Sequence, residues 1–471
     1  MNHWRSYAGI LLSRNVWRLF AAKQIRNLAK LPIRGGEKPK ITTKTEEVFS
    51  SLNDGSNVAI QGVASTPDPL IRDFCEYVHA RNLKNIHIYT TLPFGEGLFL
   101  QEPYASHFKT TFFFLGSVGR KEVNSGKADY TPMFLNDVPR FYRRRLIELD
   151  MCIINVSPCD AHGNYSMGPS IKTVLGAVET AKCLIGQINP LTPFTYGDSL
   201  VHESRFQYLV PHSMPMHTLP LPTAGVEEAT IGKLIAENLV ADGSTLQMGI
   251  GSIPDIVLSL LHSHKDLGIH TEMFSDGIID LCESGVITNA HKKLYQGFIV
   301  SSFILGSERV FSFVDKNSNL VMKDVQWTNA PENIALNPKV VAINSCIEVS
   351  LAGHVASGSI GPRIYSGFGG QLDFLRGAAM GTDGRGKPIL AITSTTTKGQ
   401  SKIVPELAAY AGIVTPSDHT HYVVTEYGIA QLFGRNQRQR AYELIQVAHP
   451  KFRERLEKAA FEQLHCMPSP D

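Results

Sequence analysis

Residues 242–257 read DGSTLQMGIGSIPDIV, and residues 54–69 read DGSNVAIQGVASTPDP. Both carry Asp-Gly-Ser, a short apolar strand, a glycine-containing turn and Ser-x-Pro-Asp at the mouth of an amphipathic helix. Each is followed by a second strand with Ile-His, in NLKNIHIYTT (82–91) and DLGIHTEMFSDG (266–277). Strand, helix, strand in this order is the βαβ unit of a mostly parallel sheet covered by helices. Its recurrence predicts a duplicated α/β fold. Two residues past the His, the first copy has Tyr89 and the second has Glu272. A carboxylate in only one copy predicts one active site per pair of domains.

The rest of the chain supports two such units. At 471 residues it is long for one domain. Val58–Ile60, Ile86–Tyr89, Cys152–Val156 and Lys182–Ile188 read as strands of the first. Thr245–Met248, Ile269–Met273, Val340–Asn344, Ile389–Thr393 and Tyr422–Thr425 read as strands of the second. Between the first two strands, Leu70, Phe74, Tyr77 and Val78 recur at helical spacing. LPLPTAG at 219–225 reads as an interdomain linker. The expected organisation is therefore a first α/β domain over 37–218, the linker, and a second α/β domain over 226–471. A helix starting at Glu227 and Glu228 opens the second domain, with acidic residues suited to a helix N-terminus. The tail from Gln437 to Leu464 reads as helical.

Composition narrows the function. Hydrophobic residues make up 43% and charged residues 19%, ordinary for a globular enzyme. No apolar run reaches the length of a membrane span. The net charge of +2 is unevenly spread. Residues 1–36 hold seven basic residues and no acid, and the remaining 38 basic and 43 acidic residues give −5. That balance argues against a nucleic-acid partner. The leader sets Arg14 and Arg18 on one helix face and Val16, Trp17, Leu19 and Phe20 on another. It reads as a mitochondrial transit peptide over 1–36, with the matrix as destination. Cys75, Cys152, Cys159, Cys183, Cys282, Cys346 and Cys466 are scattered without zinc spacing and read as reduced thiols.

Three segments can carry chemistry. Gly249-Ile250-Gly251-Ser252-Ile253-Pro254 lies between a strand and a helix. It fits a plain turn, an anion site at a helix N-terminus, or a dinucleotide fingerprint with Glu272 as the ribose acid. The third glycine of that fingerprint is missing, and Pro254 follows Ile253 instead. Glu272 follows a strand at the carboxyl edge of a sheet, where open α/β folds bind ligands. A carboxylate there is a competent nucleophile towards activated acyl groups; a salt-bridged surface glutamate is the plainer reading. His270 shares its strand face and reads as structural. The third segment, Tyr365 to Phe374, places Gly367, Gly369 and Gly370 in a nest whose paired N–H groups suit an oxyanion. Asn344, at the end of a strand, offers an amide for the same purpose. Lys398, in a polar loop, suits phosphate as a point charge. His419 and His421 have no third ligand nearby and read as structural, and Asp160 to Gly163 reads as a turn, so no metal site is expected.

Taken together, GIGSIP, HTEMFSDG, AINSCIEV, GFGGQLDFLRGA, VVTEYGIAQLFGR and AHPKFRERL resemble the acetyl-CoA hydrolase/transferase family. Within it, they are similar to the 4-hydroxybutyrate and acetate CoA-transferases. The likeness runs from about Ile41 to the C-terminus. It implies two similar α/β domains with the active site between them. It implies Glu272 as the catalytic glutamate, working through a glutamyl-CoA thioester. It implies coenzyme A binding at Gly249, Ile250, Gly251, Ser252, Ile253, Asn344, Gly367 and Lys398, with Gly369 and Gly370 as oxyanion donors. Coenzyme A is then a substrate, and no cofactor is held permanently. Acyl-CoA and a small carboxylate (4-hydroxybutyrate, succinate or butyrate) are the expected partners, in a homodimer or homotetramer. A hydrolase using water as acceptor is the alternative; an NAD-dependent oxidoreductase is remote. The chain departs from the family pattern at Lys402, where Arg is expected, and in 415–421, which lacks the usual Arg and Asp.

Overall fold

The computed structural model describes residues 38–220 and 224–471. The expected transit peptide lies outside them, and so does part of the expected linker. The first domain is built on an eight-stranded, all-parallel sheet. Its strand order is Lys40–Ile41, Tyr208–Pro211, Cys183–Ile188, Met151–Val156, Asn57–Ile60, Ile86–Thr91, Phe108–Phe114 and Asp129–Tyr130. The second is built on a six-stranded sheet: Gly428–Gln431, Tyr422–Thr425, Lys387–Ala391, Val340–Ser345, Thr245–Met248 and Gly268–Ile269. Only Gly428–Gln431 pairs antiparallel.

Set side by side, five consecutive strands follow the same order in both sheets. Asn57–Ile60 corresponds to Thr245–Met248, Ile86–Thr91 to Gly268–Ile269, and Met151–Val156 to Val340–Ser345. The repeated Asp-Gly-Ser has one structural job in each. Gly55 and Gly243 take φ of 77° and 72°, a region that glycine enters without strain. Asp54 accepts from the Lys84 N–H at 2.7 Å, and Asp242 from the Lys265 N–H at 2.9 Å. Ser56 Oγ accepts from Asn53 N at 3.0 Å, and Ser244 Oγ from Ala241 N at 3.2 Å. The motif therefore ties the entry of one strand to the entry of its neighbour, which is why it recurs.

Alternation along the strands sorts the core. Val58 and Ile60 face the helix Asp68–Ala80, which buries Leu70, Phe74, Tyr77 and Val78 as the helical spacing predicts. Val340 and Ala342 face a separate cluster under the C-terminal helices. Ala59, Leu246, Met248, Val341 and Ile343 belong to a third cluster that contains residues of both domains. The halves are also joined by backbone. Tyr196–Gly197 of the first adds to Ile299–Ser301 and Leu320–Met322 of the second in a three-stranded parallel sheet.

Two expectations change. The strand read over Ile269–Met273 is two strands in different sheets. Gly268–Ile269 pairs with Thr245–Met248, while Met273–Phe274 pairs with Phe303–Ile304. The chain leaves the main sheet at His270, because Thr271 N donates to Val300 O at 3.1 Å. Glu272 falls at this crossover. The tail is likewise two helices, Gln437–Gln446 and Pro450–Leu464. Pro450 has no N–H to continue the first helix and starts the second.

Candidate functional site

A cavity of about 600 Å³ opens along the seam between the two domains. Leu92, Phe94, Phe114 and Arg120 line it from the first, and Gly249, Glu272, Asn344 and the glycine turn from the second. Its size is ordinary for a small-molecule site.

Glu272 sits half-buried in its wall, placed there by the crossover. Its carbonyl accepts from Ser302 N and Phe303 N, each at 3.0 Å, and from Ser301 Oγ at 3.1 Å. The backbone is thus pinned while the carboxylate turns to the cavity. Oε2 accepts from Asn329 Nδ2 at 2.6 Å. Gly370 is the N-cap of the helix Gln371–Ala379, and a Cβ there would overlap both Glu272 Oε2 and Asn329 Nδ2. Only a glycine lets this helix N-terminus come so close to the carboxylate, and the N-terminal dipole favours negative charge. Burial raises the Glu272 carboxyl above its usual range; Lys172 and the Asn329 hydrogen bond pull the other way. Among the described residues, no cation lies within ion-pairing distance of it.

Lys172 comes from the first domain and is buried, with its ammonium 4.5 Å from the centre of the Phe303 ring. Burial lowers it to about 8, against the opposing pull of Glu272. Its charge favours the ionised glutamate, so activity that needs that carboxylate is expected to fall as pH rises through about 8. Lys172→Met should lower kcat/KM on the order of tenfold, from the lost Coulomb attraction in a partly dry site. It should also flatten the alkaline limb, which a pH–rate profile reads. A buried ammonium costs stability below its folded pKa, so the variant is expected to melt at the same or a higher temperature.

The expected site residues divide. Gly249, Ile250, Asn344, Gly367, Gly369 and Gly370 line the cavity with Glu272. The Asn344 amide is tied to Gln247, donating to its Oε1 at 2.9 Å and accepting at 3.4 Å. Gly251, Ser252 and Ile253 lie at the start of the helix Ser252–Ser259, outside the cavity lining. Lys398 is exposed on its loop, also outside the lining. His270 is structural: Nε2 meets Thr328 O at 2.8 Å, the ring stacks on Trp327, and burial lowers it to about 3. Leu219 is no free linker residue: its N–H donates to Gly306 O at 2.9 Å, and its side chain lines the cavity.

The residues that sequence reading missed are Asn329 and Lys172. Neither belongs to a repeat or a glycine loop. Lys172 left one signal, a lone lysine in the otherwise uncharged run Ser166–Val178. Across the seam, the glycine turn docks on the first domain: Leu115 N donates to Ser366 O at 2.7 Å and Leu135 N to Gly369 O at 3.1 Å. Arg120 Nε donates to Tyr365 O at 2.7 Å and its guanidinium lies 4.1 Å from the Tyr365 ring centre.

Duplicated parallel α/β domains meeting over one carboxylate define an enzyme with its site at a domain interface. Residues 37–219 match the acetyl-CoA hydrolase/transferase N-terminal domain, and residues 306–460 match the C-terminal domain. The chain belongs to the acetyl-CoA hydrolase/transferase family and is an enzyme of the CoA-transferase kind. It is 52% identical to a succinyl-CoA:acetate/propanoyl-CoA:succinate CoA transferase of Fasciola hepatica, over 92% of this chain and 91% of that one. It is 40% identical to a 4-hydroxybutyrate coenzyme A transferase of Clostridium kluyveri, over 89% and 96%. Among solved structures, RipA from Yersinia pestis superposes with a TM-score of 0.84 at 31% identity, covering 90% of this chain and 98% of that one.

Proposed function

We propose that this enzyme moves coenzyme A between acetyl-CoA and another small carboxylate, through a covalent glutamyl-CoA thioester on Glu272. The observation that carries the reading is the Glu272 carboxylate. It faces an interdomain cavity, is held by one amide, and has no ion-pair partner among the described residues. A carboxylate so placed is less solvated and more basic than one in water, which favours attack on an activated acyl carbon.

The steps balance without a metal, an oxidant or a net proton. Glu272 attacks the thioester carbonyl; the C–S bond breaks, leaving a mixed anhydride and CoA thiolate. The thiolate attacks the glutamyl carbonyl and expels the first carboxylate, leaving the glutamyl thioester. The incoming carboxylate then runs the sequence in reverse. Asn329, Asn344 and the N–H groups around Gly369 and Gly370 are the donors near the developing oxyanions. Gly249 to Ile253, Gly367 and Lys398 remain our candidates for coenzyme A contacts, with Lys398 reaching outer phosphates from its exposed loop. Succinate, acetate, propionate and 4-hydroxybutyrate are the carboxylates that the relatives' names bring into consideration. The basic, acid-free leader supports a mitochondrial matrix location.

The test is intact mass of the leader-free protein after incubation with acetyl-CoA alone, followed by peptide mapping after borohydride. A CoA adduct on the intact protein, discharged by succinate with formation of succinyl-CoA, and Glu272 found reduced to its alcohol in the borohydride-treated peptide, are the expected results. Acetyl-CoA consumed only to acetate and free CoA, with no adduct, would replace the transferase reading by a hydrolase one.

A further inference from the structure

A second carboxyl group lies behind the first. Asp373 is on the first turn of the helix Gln371–Ala379 and is buried. Its Oδ1 accepts from Asn136 Nδ2 of the first domain at 3.2 Å. Its Oδ2 is buried with no hydrogen-bond partner. Asn329, which interacts with Asp373 as well as with Glu272, has a buried Oδ1 that also lacks a partner. Every ionisable group acting on Asp373 is acidic: Glu272, Asp137 and Glu332. Lys172 acts on Glu272.

An ionised Asp373 leaves both orphans in place. It also sets two negative charges around one amide with no cation beside the second. Each buried polar atom left without a partner carries a desolvation cost. A proton on Asp373 removes both difficulties, because a carboxylic acid is a donor and Asn329 Oδ1 is an acceptor in need of one. The orientation of the amide then follows: its oxygen is engaged by the acid, and its Nδ2 is left for Glu272.

We propose that Asp373 is a positioning residue, kept as a neutral carboxylic acid that donates to Asn329 and so fixes the amide that holds Glu272. Burial, and next the charge of Glu272, push Asp373 well above the ordinary carboxylate range, outweighing the Asn329 amide, which pulls the other way. Asn136 adds a contact from the opposite domain, so the chain Asn136–Asp373–Asn329–Glu272 spans the seam. The effect on rate rests on Glu272 being the nucleophile; the protonation of Asp373 does not.

Two readouts separate these parts. Infrared spectra of the full protein should show the carbonyl band of a buried, protonated carboxyl at neutral pH. The band should persist in Glu272→Gln and vanish in Asp373→Asn. Its absence from the wild type, or its persistence in Asp373→Asn, overturns the proposal. For the kinetic part, Asp373→Asn keeps a neutral donor and should retain kcat within about threefold. Asp373→Ala should lower kcat on the order of 10²-fold with little change in KM, as a misplaced reacting group does. Wild-type kcat in Asp373→Ala overturns the positioning role, and so does an Asp373→Asn as slow as Asp373→Ala. If Asp373→Ala does not fold, the spectra and the Asp373→Asn rates still decide. Should the wild type form no Glu272 adduct, the transferase reading fails while the infrared result stands by itself.

Discussion

Glu272→Gln is expected to lower kcat for CoA transfer by at least about 10⁴-fold, the scale seen when a covalent nucleophile is removed. The amide fits the same space but has no anionic oxygen to attack the acyl carbon. Binding should survive, because the cavity wall is otherwise unchanged, so acyl-CoA affinity measured by titration should stay near that of the wild type. Stability should not fall. In the folded protein the glutamate is raised by burial, so its ionised form is disfavoured at neutral pH relative to the unfolded chain. A neutral side chain removes that cost, and the variant should melt at the same or a higher temperature. Glu272→Asp is the finer test. It withdraws the carboxylate by one methylene from Asn329 and from the acyl carbon, and a displacement of about 1 Å is worth roughly 10²-fold. A glutamine variant that keeps a few per cent of the transfer rate would remove Glu272 from the centre of the mechanism.

Gly370→Ala is expected to cost about 10²-fold to 10³-fold in kcat without unfolding the protein. The backbone is not the obstacle: Gly370 has φ −104° and ψ 9°, which alanine tolerates. The obstacle is the new methyl group, which overlaps Glu272 Oε2 and Asn329 Nδ2. The carboxylate must give way, since the helix behind Gly370 is packed through Phe374, Leu375 and Ala378. Adduct formation followed by mass after rapid mixing should be slowed along with turnover. The control is Gly384→Ala on a surface turn, where a Cβ meets nothing within 4 Å. Its φ of +65° makes it a test of backbone strain alone. If Gly370→Ala is no slower than that control, close packing of this turn against Glu272 has no part in catalysis.

Much of this architecture was legible in the sequence, because it rests on local rules. Asp-Gly-Ser announces itself twice, and in both places the glycine needs positive φ and the aspartate needs a neighbouring N–H. Apolar alternation found the central strands, with Thr245–Met248 and Tyr422–Thr425 read to the residue. The resemblance to a family placed Glu272 beside the glycine turn. What sequence did not show is what distance in the chain conceals. Asn329 stands 57 residues past Glu272 and reaches it only because 325–328 folds back as a short helix behind it. Lys172 arrives from the other domain. The crossover at His270 was also hidden, since period-two alternation continues through Ile269–Met273 although the partner strand changes. A side-chain pattern reports which face is buried and says nothing of which strand does the burying.

One feature of the seam bears on how a ligand gets in. Tyr196–Gly197 is hydrogen-bonded into a sheet of the other half, and one apolar cluster contains side chains from both. Two lobes stitched by backbone do not swing apart like a clam without tearing a ladder. The slot therefore keeps its width, with Phe114 and Arg120 on one side and Glu272 and Asn344 on the other. Selectivity then lies in threading: a cargo qualifies by being slender and supple enough to enter a slot that does not widen for it. Lengthening or stiffening the cargo should therefore slow its entry before it weakens its hold.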